Sequence, residues 1–380
     1  MTVNQNQVST NDKQKVRYAV VGLGWIAQET VLPGFGKASE NSELVAFVSD
    51  DSTKCRELGK EYGIERTYSY DEYDKCLNSG DIDAVYIALP NHLHCEYTVR
   101  AAQANIHVLC EKPMAVTEEE CETMIRAAND HHVKLMIAYR LHFEKANMQA
   151  VEIVQSGQIG SVRIFNSVFS QQVAAGNVRL VKTALGGGPL YDMGIYCINA
   201  ARYLFQDEPV EVFATSANNG EQRFSEVAEM NNVILRFPQE RLATFTCSFG
   251  AASVGNYQVV GTEGDLRLDS AYDMTGEIKQ QLTINNQTQE RSFPQGDQFA
   301  AELIYFSDCV LTGKDPEPSG VEGLADVRII CALNHSAAIG KPVKLGDFQR
   351  QQRPNPAQVI QRPASEQPEL IHAADPSGKS

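Results

Sequence analysis

The sequence predicts two sheets in succession. The first is a parallel α/β sheet with helices on both faces, and the second is a large, mainly antiparallel α+β sheet with one open face. Three observations carry this. From Arg17 to about Ala138, short apolar runs alternate with helical periods. The first run ends in a glycine-rich turn, "VVGLGWIAQ". After about Ile159 the texture changes to residue-by-residue alternation punctuated by turn signals.

The apolar runs of the first part are "RYAVVG" (17–22), "ELVAFVS" (43–49), "DAVYIAL" (83–89), "IHVLC" (106–110) and "KLMIA" (134–138). Strands buried on both faces read as such runs, and helices between them require parallel pairing. The helical stretch from Thr117 to His132 opens with Thr117 and Glu120 at capping-box spacing. The result is a Rossmann-type, doubly wound unit. In the second part, "SVRIFNSVFSQ", "VILRF", "LATFTCSFG", "YQVVGTEGDLRLD" and "QLTINNQ" read as strands, with a turn at "GTEGD". Helices are expected at about 189–205, 296–313 and 321–340. They cover one face of that sheet, and a second subunit is the expected cover for the other. The chain thus divides into a disordered lead-in (1–15), a dinucleotide-binding domain (16–140), a substrate and oligomerisation domain (141–347) and a Pro/Gln-rich arm or tail (348–380).

A formal net charge of -15 over 380 residues argues against nucleic acid or an anionic membrane as partner. No apolar run approaches the roughly 20 residues of a membrane span. The polar beginning "MTVNQNQVSTNDKQK" lacks a secretion signal's apolar core. Nine cysteines without a C-x-x-C pair fit reduced, buried thiols in the cytoplasm.

The turn places Gly22, Gly24 and Ala27 as G-x-G-x-x-A between the first strand and its helix. Gly22 allows the tight turn, Gly24 lets backbone approach a pyrophosphate, and Ala27 permits close helix packing. Leu23, Trp25 and Ile26 belong to the same cofactor cradle. The second strand ends in "VSDDSTK". There Ser49 and Lys54 suit a 2′-phosphate, whereas Asp50 or Asp51 suits a free 2′-hydroxyl. Ser49 at the strand end favours NADP, with NAD as the alternative. Asp51 or Ser52 also fits a simple helix cap.

The third strand ends in "IALPNHLHC", which places Leu89, Asn91 and His94 beside a nicotinamide ribose. His92, His94 and Cys95 do not share a helix face, so no metal is expected. The fourth strand ends in "CEKPM" at the same edge, projecting Glu111 and Lys112 into the crevice. A lysine there can bind a substrate hydroxyl and steer its proton as a hydride leaves the carbon. Pro113 rigidifies the turn, with a cis bond possible. The plainer alternative is a surface lysine paired with Glu111.

The ordered motifs "GLGWIA", "LPNHLH", "CEKP", "GGGPLYDMGIY" and "GTEGDL" resemble the glucose–fructose oxidoreductase/inositol dehydrogenase family of NAD(P)-dependent sugar oxidoreductases over roughly residues 16–345. The resemblance implies hydride transfer between nicotinamide and a sugar carbon. It maps the reacting-oxygen contact to Lys112 and a further acid/base pair to Asp192 and Tyr196. Tyr139 and Arg140 match the family's Tyr-Arg after the sixth strand and would line the pocket. Arg179 in "VRLVKTALGGG" is a further sugar contact, although Val178 stands where many relatives have Trp. Asp192 and Tyr196 are four apart, hence on one helical face. The expected reaction is oxidation of a glucose- or xylose-like aldose at C1 to the lactone. Alternatives are a sensor that binds NAD(P) and a sugar without turnover, a dicarbonyl-sugar reductase, or a trans-dihydrodiol dehydrogenase. Coupled members wrap their cofactor with a proline-rich N-terminal arm. The lead-in here has no proline, which implies a freely exchanging cofactor.

Overall fold

The computed structural model describes residues 14–350 and 352–378. Most of the expected lead-in lies outside the described residues. The first sheet is built from β1 (Val16–Val21), β2 (Ser42–Val48), β3 (Arg66–Tyr68), β4 (Ala84–Ile87), β5 (His107–Cys110) and β6 (Leu135–Ile137), in the order β3-β2-β1-β4-β5-β6. Every pairing is parallel. Helices α1 (Leu32–Lys37), α2 (Ser52–Tyr62), α3 (Tyr73–Leu77), α4 (His94–Gln103) and α5 (Glu118–Asp130) intervene. All four residues of β4 are buried, which is why that run carries no alternation. The Thr117–Glu120 capping box forms as read. The short β3 has no apolar run and was not foreseen.

After α6 (Lys145–Gln155) come β7 (Val162–Gln172), α7 (Ile195–Phe205), β8 (Glu211–Ala217), β9 (Met230–Phe237), β10 (Arg241–Ser248), β11 (Gly250–Gly261), β12 (Gly264–Asp269), β13 (Ile278–Ile284) and β14 (Gln287–Phe293). Helices α8 (Gln298–Thr312) and α9 (Gly320–Ile339) and the two-residue β15 (Val343–Lys344) follow. The nine strands run β14-β13-β12-β11-β7-β10-β9-β8-β15, antiparallel except for β7 with β10. The stretch "QLTINNQ" is not one strand. Asn285 and Asn286 both adopt positive φ (52° and 61°) and make a two-residue hairpin turn between β13 and β14.

Two features depart from the linear division. Helix α8 does not cover the second sheet. Its Phe299, Leu303, Ile304 and Phe306 pack into one cluster with Tyr18, Val20, Phe47 and Tyr86 of the first sheet. Tyr18 and Ser307 share a 2.7 Å hydroxyl contact there. The short α1 covers that face of β1 and β2 only in part, with Phe35 edge-on to Tyr18 at 5.4 Å, and the strongly apolar α8 fills the rest. The arm is ordered. Fully buried Arg202 pairs with Glu208 (2.6 Å), Glu322 (2.9 Å) and Asp326, and Arg350 joins the same knot through Glu322. Gln358 donates to the Glu317 carbonyl at 2.7 Å, continuing the attachment.

One face of the second sheet presents Ile164, Val168, Ile234, Leu242 and Val254, all exposed. Ile164 and Leu242 are direct cross-strand partners.

Candidate active site

A cavity of about 660 Å³ opens where the C-terminal ends of β4, β5 and β6 meet the start of α7. Its floor is the glycine turn. Gly22 has φ +92°, and a Cβ there would lie 2.6 Å from the Ala88 carbonyl oxygen. Gly24 has nothing within 4 Å of such a carbon, so its backbone faces open space. That is the room a pyrophosphate needs above a helix N-terminus. Gly24, Trp25 and Ile26 line the cavity. Leu23 is buried beneath it, its carbonyl accepting from Gln28 at 2.9 Å.

Two of the helices that face the cavity open with a π-turn, Ala27–Val31 before α1 and Leu190–Gly194 before α7. Such turns recur at functional sites because they re-aim side chains. The second one carries Asp192. The Lys112–Pro113 bond is cis, as the sequence allowed. Lys112 Nζ donates to the Asp192 carbonyl at 2.9 Å and approaches Oδ1 at 3.4 Å. Arg179 Nε donates to the other carboxylate oxygen at 2.8 Å. Burial alone would raise the pKa of Asp192, but Arg179 and Lys112 together hold it below the ordinary carboxylate value. Because its folded value is depressed, the ionic contacts are intact above the usual carboxylate range. They are lost only as pH falls through that lowered value, so the array is whole at neutral pH.

Lys112 Nζ sits 4.7 Å from the centroid of the Tyr196 ring, and the Arg140 guanidinium carbon is 5.0 Å from it. Arg140 Nε donates to the Tyr196 hydroxyl at 3.3 Å. Phe169 meets the same ring edge-on at 5.5 Å. The pairing of Lys112 with Glu111, the plainer alternative, does not occur through the ammonium. Buried Glu111 instead accepts from Tyr86 at 2.8 Å, and burial raises its pKa.

The other assigned residues divide. Leu89, Asn91, His94, Glu111 and Arg140 border the cavity. The Asn91 amide donates to the Gly186 carbonyl at 2.7 Å, joining the two halves of the chain. His94 is fully buried, with its ring nitrogens 2.9 and 2.8 Å from the carbonyls of Pro113 and Leu89, so it ties two strand-end turns together. Tyr139 is a correction. It lies outside the cavity, buried in the main core and stacked on His142 at 5.4 Å. The tight turn after β6 sends its neighbour Arg140 to the cavity and Tyr139 away from it. Ser49, Asp50 and Lys54 lie beyond the cavity at the end of β2, the side where a dinucleotide's adenosine half belongs. The Ser49 hydroxyl accepts from Asp51 N at 3.2 Å, and Asp50 accepts from Tyr70 N at 2.8 Å. Asp51 caps α2 through Thr53 N and Lys54 N, the capping alternative. Among the described residues no cluster of three or more His, Cys, Asp or Glu is gathered for a metal.

Sequence reasoning missed Gln298 and Tyr272, which hold the Arg140 guanidinium, and the arm residues at the rim. Their loops carry no motif. Trp25 lies beneath Arg179, whose guanidinium carbon is 5.7 Å from the indole ring centroid. As the chain's single tryptophan, Trp25 should lose emission on titration with NADPH, and Trp25→Phe should abolish the signal. Unchanged Trp25 emission at saturating NADPH would place the dinucleotide elsewhere.

A parallel sheet that offers a glycine cradle on one side of a crevice and a lysine, an aspartate and a tyrosine on the other defines a dinucleotide-dependent oxidoreductase. The comparisons carry this further. The chain belongs to the GFO/IDH/MocA oxidoreductase family. The family's "Oxidoreductase family, NAD-binding Rossmann fold" matches residues 16–139, and its C-terminal domain matches residues 147–267. The chain is 32% identical over 348 residues to a D-xylose 1-dehydrogenase [NADP(+)] of Haloarcula marismortui, covering 90% of this chain and 96% of that one. It is similar in structure to an aldose-aldose oxidoreductase from Caulobacter crescentus, with TM-score 0.82 and 37% identity over 87% of this chain and 100% of that chain. It is also similar to KijD10, a 3-ketoreductase from Actinomadura kijaniata solved with NADP, with TM-score 0.78 and 26% identity over 85% and 98%. Solved variants of that reductase replace a lysine by alanine and a tyrosine by phenylalanine. Those two residues are as far apart in its sequence as Lys112 and Tyr196 are here.

Proposed function

We propose that the chain oxidises an aldose at C1 to the lactone, with NADP as the preferred acceptor. The observation that carries this is the meeting of Lys112 and Tyr196, the ammonium 4.7 Å from the centre of the phenol ring, over a crevice floored by the glycine turn. When bound, the nicotinamide accepts a hydride from the sugar carbon. Lys112 Nζ donates a hydrogen bond to the C1 oxygen, and the Tyr196 oxygen takes the C1 hydroxyl proton as the phenol passes its own to solvent, so that the carbonyl forms as the hydride leaves. Asp192 holds the ammonium in place from below. Arg179 neutralises Asp192 and, with Trp25, borders the sugar. Glu111, Leu89, Asn91 and Arg140 position the nicotinamide half. Ser49 and Lys54 receive the 2′-phosphate, and the NADP named for the relatives supports that preference.

The test is a panel of aldoses, polyols and keto-sugars, followed by nicotinamide absorbance with NAD and NADP in parallel. Reduction of NADP by a pentose or hexose aldose, with lactone as product, supports the reading. Turnover confined to the reduction of keto-sugars would replace it. Tight cofactor binding without turnover of any sugar would favour a sensor. The exposed apolar face of the second sheet, with Ile164 and Leu242 paired at its centre, fits a second copy of the chain.

A further inference from the structure

The arm crosses the crevice. It leaves the buried Arg202 knot and runs along the first sheet, where Ile360 N donates to the Phe143 carbonyl at 3.3 Å and the Arg362 carbonyl accepts from Asp297 N at 3.0 Å. Ser365 then donates to the Asp297 carboxylate at 2.5 Å. The decisive contacts follow. Ile371 N donates to Gln28 Oε1 at 2.7 Å, and Gln28 Nε2 donates back to the Ile371 carbonyl at 2.9 Å. Gln28 is one helical turn beyond Gly24 and is 1% exposed. Next to it, His372 Nδ1 lies 3.0 Å from Asp51, the cap of α2 at the adenosine end. Within five residues the chain reaches the opposite wall, where the Pro376 carbonyl accepts from Ala174 N, just past β7, at 2.9 Å. Ser365, Glu366, Gln367, Asp375 and Pro376 line the cavity.

The segment is therefore attached to the cofactor half of the crevice at Gln28 and Asp51 and to the substrate half at Ala174. The span between these points lies over the route from the glycine turn to the end of β2. A dinucleotide stretched along that route sits underneath it. We propose that residues 364–378 are part of the cofactor site: a strap in the same chain that encloses the bound dinucleotide, so that cofactor leaves only when the strap detaches. This rests on the reading of the groove as the dinucleotide site. It reverses the expectation of free exchange drawn from the lead-in, because the enclosing segment comes from the other end of the chain.

A chain stopped after Pro363 keeps the Arg202 knot, Gln358 and the Asp297–Arg362 contact, so its fold is expected to survive. Release of NADPH is measured by stopped-flow fluorescence while chasing with excess NADP. The full chain is expected to release it about tenfold or more slowly than the shortened one, since interface changes act mostly on dissociation. Ile371→Pro, which deletes the N–H given to Gln28, should give an intermediate rate and keeps the test decisive if the shortened chain misfolds. Equal release rates in all three proteins would overturn the strap while leaving the cofactor site standing. Absence of NADPH binding to the full chain would overturn the site reading and the strap with it.

Discussion

Replacing Lys112 by Met should lower turnover by about 100-fold or more while leaving NADPH affinity close to that of the parent. Methionine keeps the length and the apolar stem of lysine and removes only the ammonium. In the parent that ammonium reaches the Asp192 carbonyl at 2.9 Å and no cofactor-cradling glycine. Asp192 retains its 2.8 Å contact with Arg179, so the carboxylate is not stranded without a partner. The loss should fall on the chemical step, where a donor at the reacting oxygen is worth about 2.7 kcal/mol per 100-fold. Steady-state rates on the best sugar, with a parallel NADPH titration, separate the two quantities. A Met variant with near-parental turnover would remove Lys112 from the reaction.

Gly22→Ala should damage the fold itself. The added carbon would lie 2.6 Å from the Ala88 carbonyl oxygen and 3.0 Å from Leu89 Cδ2, at a backbone φ of +92°. The left-handed conformation alone costs an L-residue roughly 1–2 kcal/mol. The carbonyl cannot yield cheaply, because Ala88 N is tied to the Val21 carbonyl at 2.8 Å across β1 and β4. A destabilisation of about 3 kcal/mol or more is expected, read as a lower melting temperature together with lost NADPH binding. Gly24→Ala provides the contrast. Its extra methyl meets nothing within 4 Å, so the melting temperature without cofactor should hold while NADPH affinity falls. Equal melting temperatures for the parent and Gly22→Ala would contradict the tight turn.

Much of this was legible in the chain because its signals are local. Uninterrupted apolar runs identified five of the six parallel strands, and strand-end motifs carried Lys112 to the crevice. The spacing of Asp192 and Tyr196 set them on one helical face. Elements without such signals were lost. β3 (Arg66–Tyr68) has no buried residue and is too short for a period, and the Asn285–Asn286 turn lay hidden inside an apparent strand. Neighbours in sequence can also face opposite ways, which separated Tyr139 from Arg140 after β6. Long-range placement was not legible at all. Nothing in "QFAAELIYFSDCVLT" says that α8 belongs to the first sheet, and nothing in the polar composition of residues 364–378 says what they cross.

An ammonium has three hydrogens, and Asp192 engages Lys112 from two directions, through its backbone carbonyl and its side chain. A single N–H vector is left over for whatever enters. On the proposed reading, one sugar oxygen at a time can take it, and only from one bearing. Which ring position and which anomer present their oxygen along that bearing would then be set by the valence of one nitrogen before any outer loop touches the sugar.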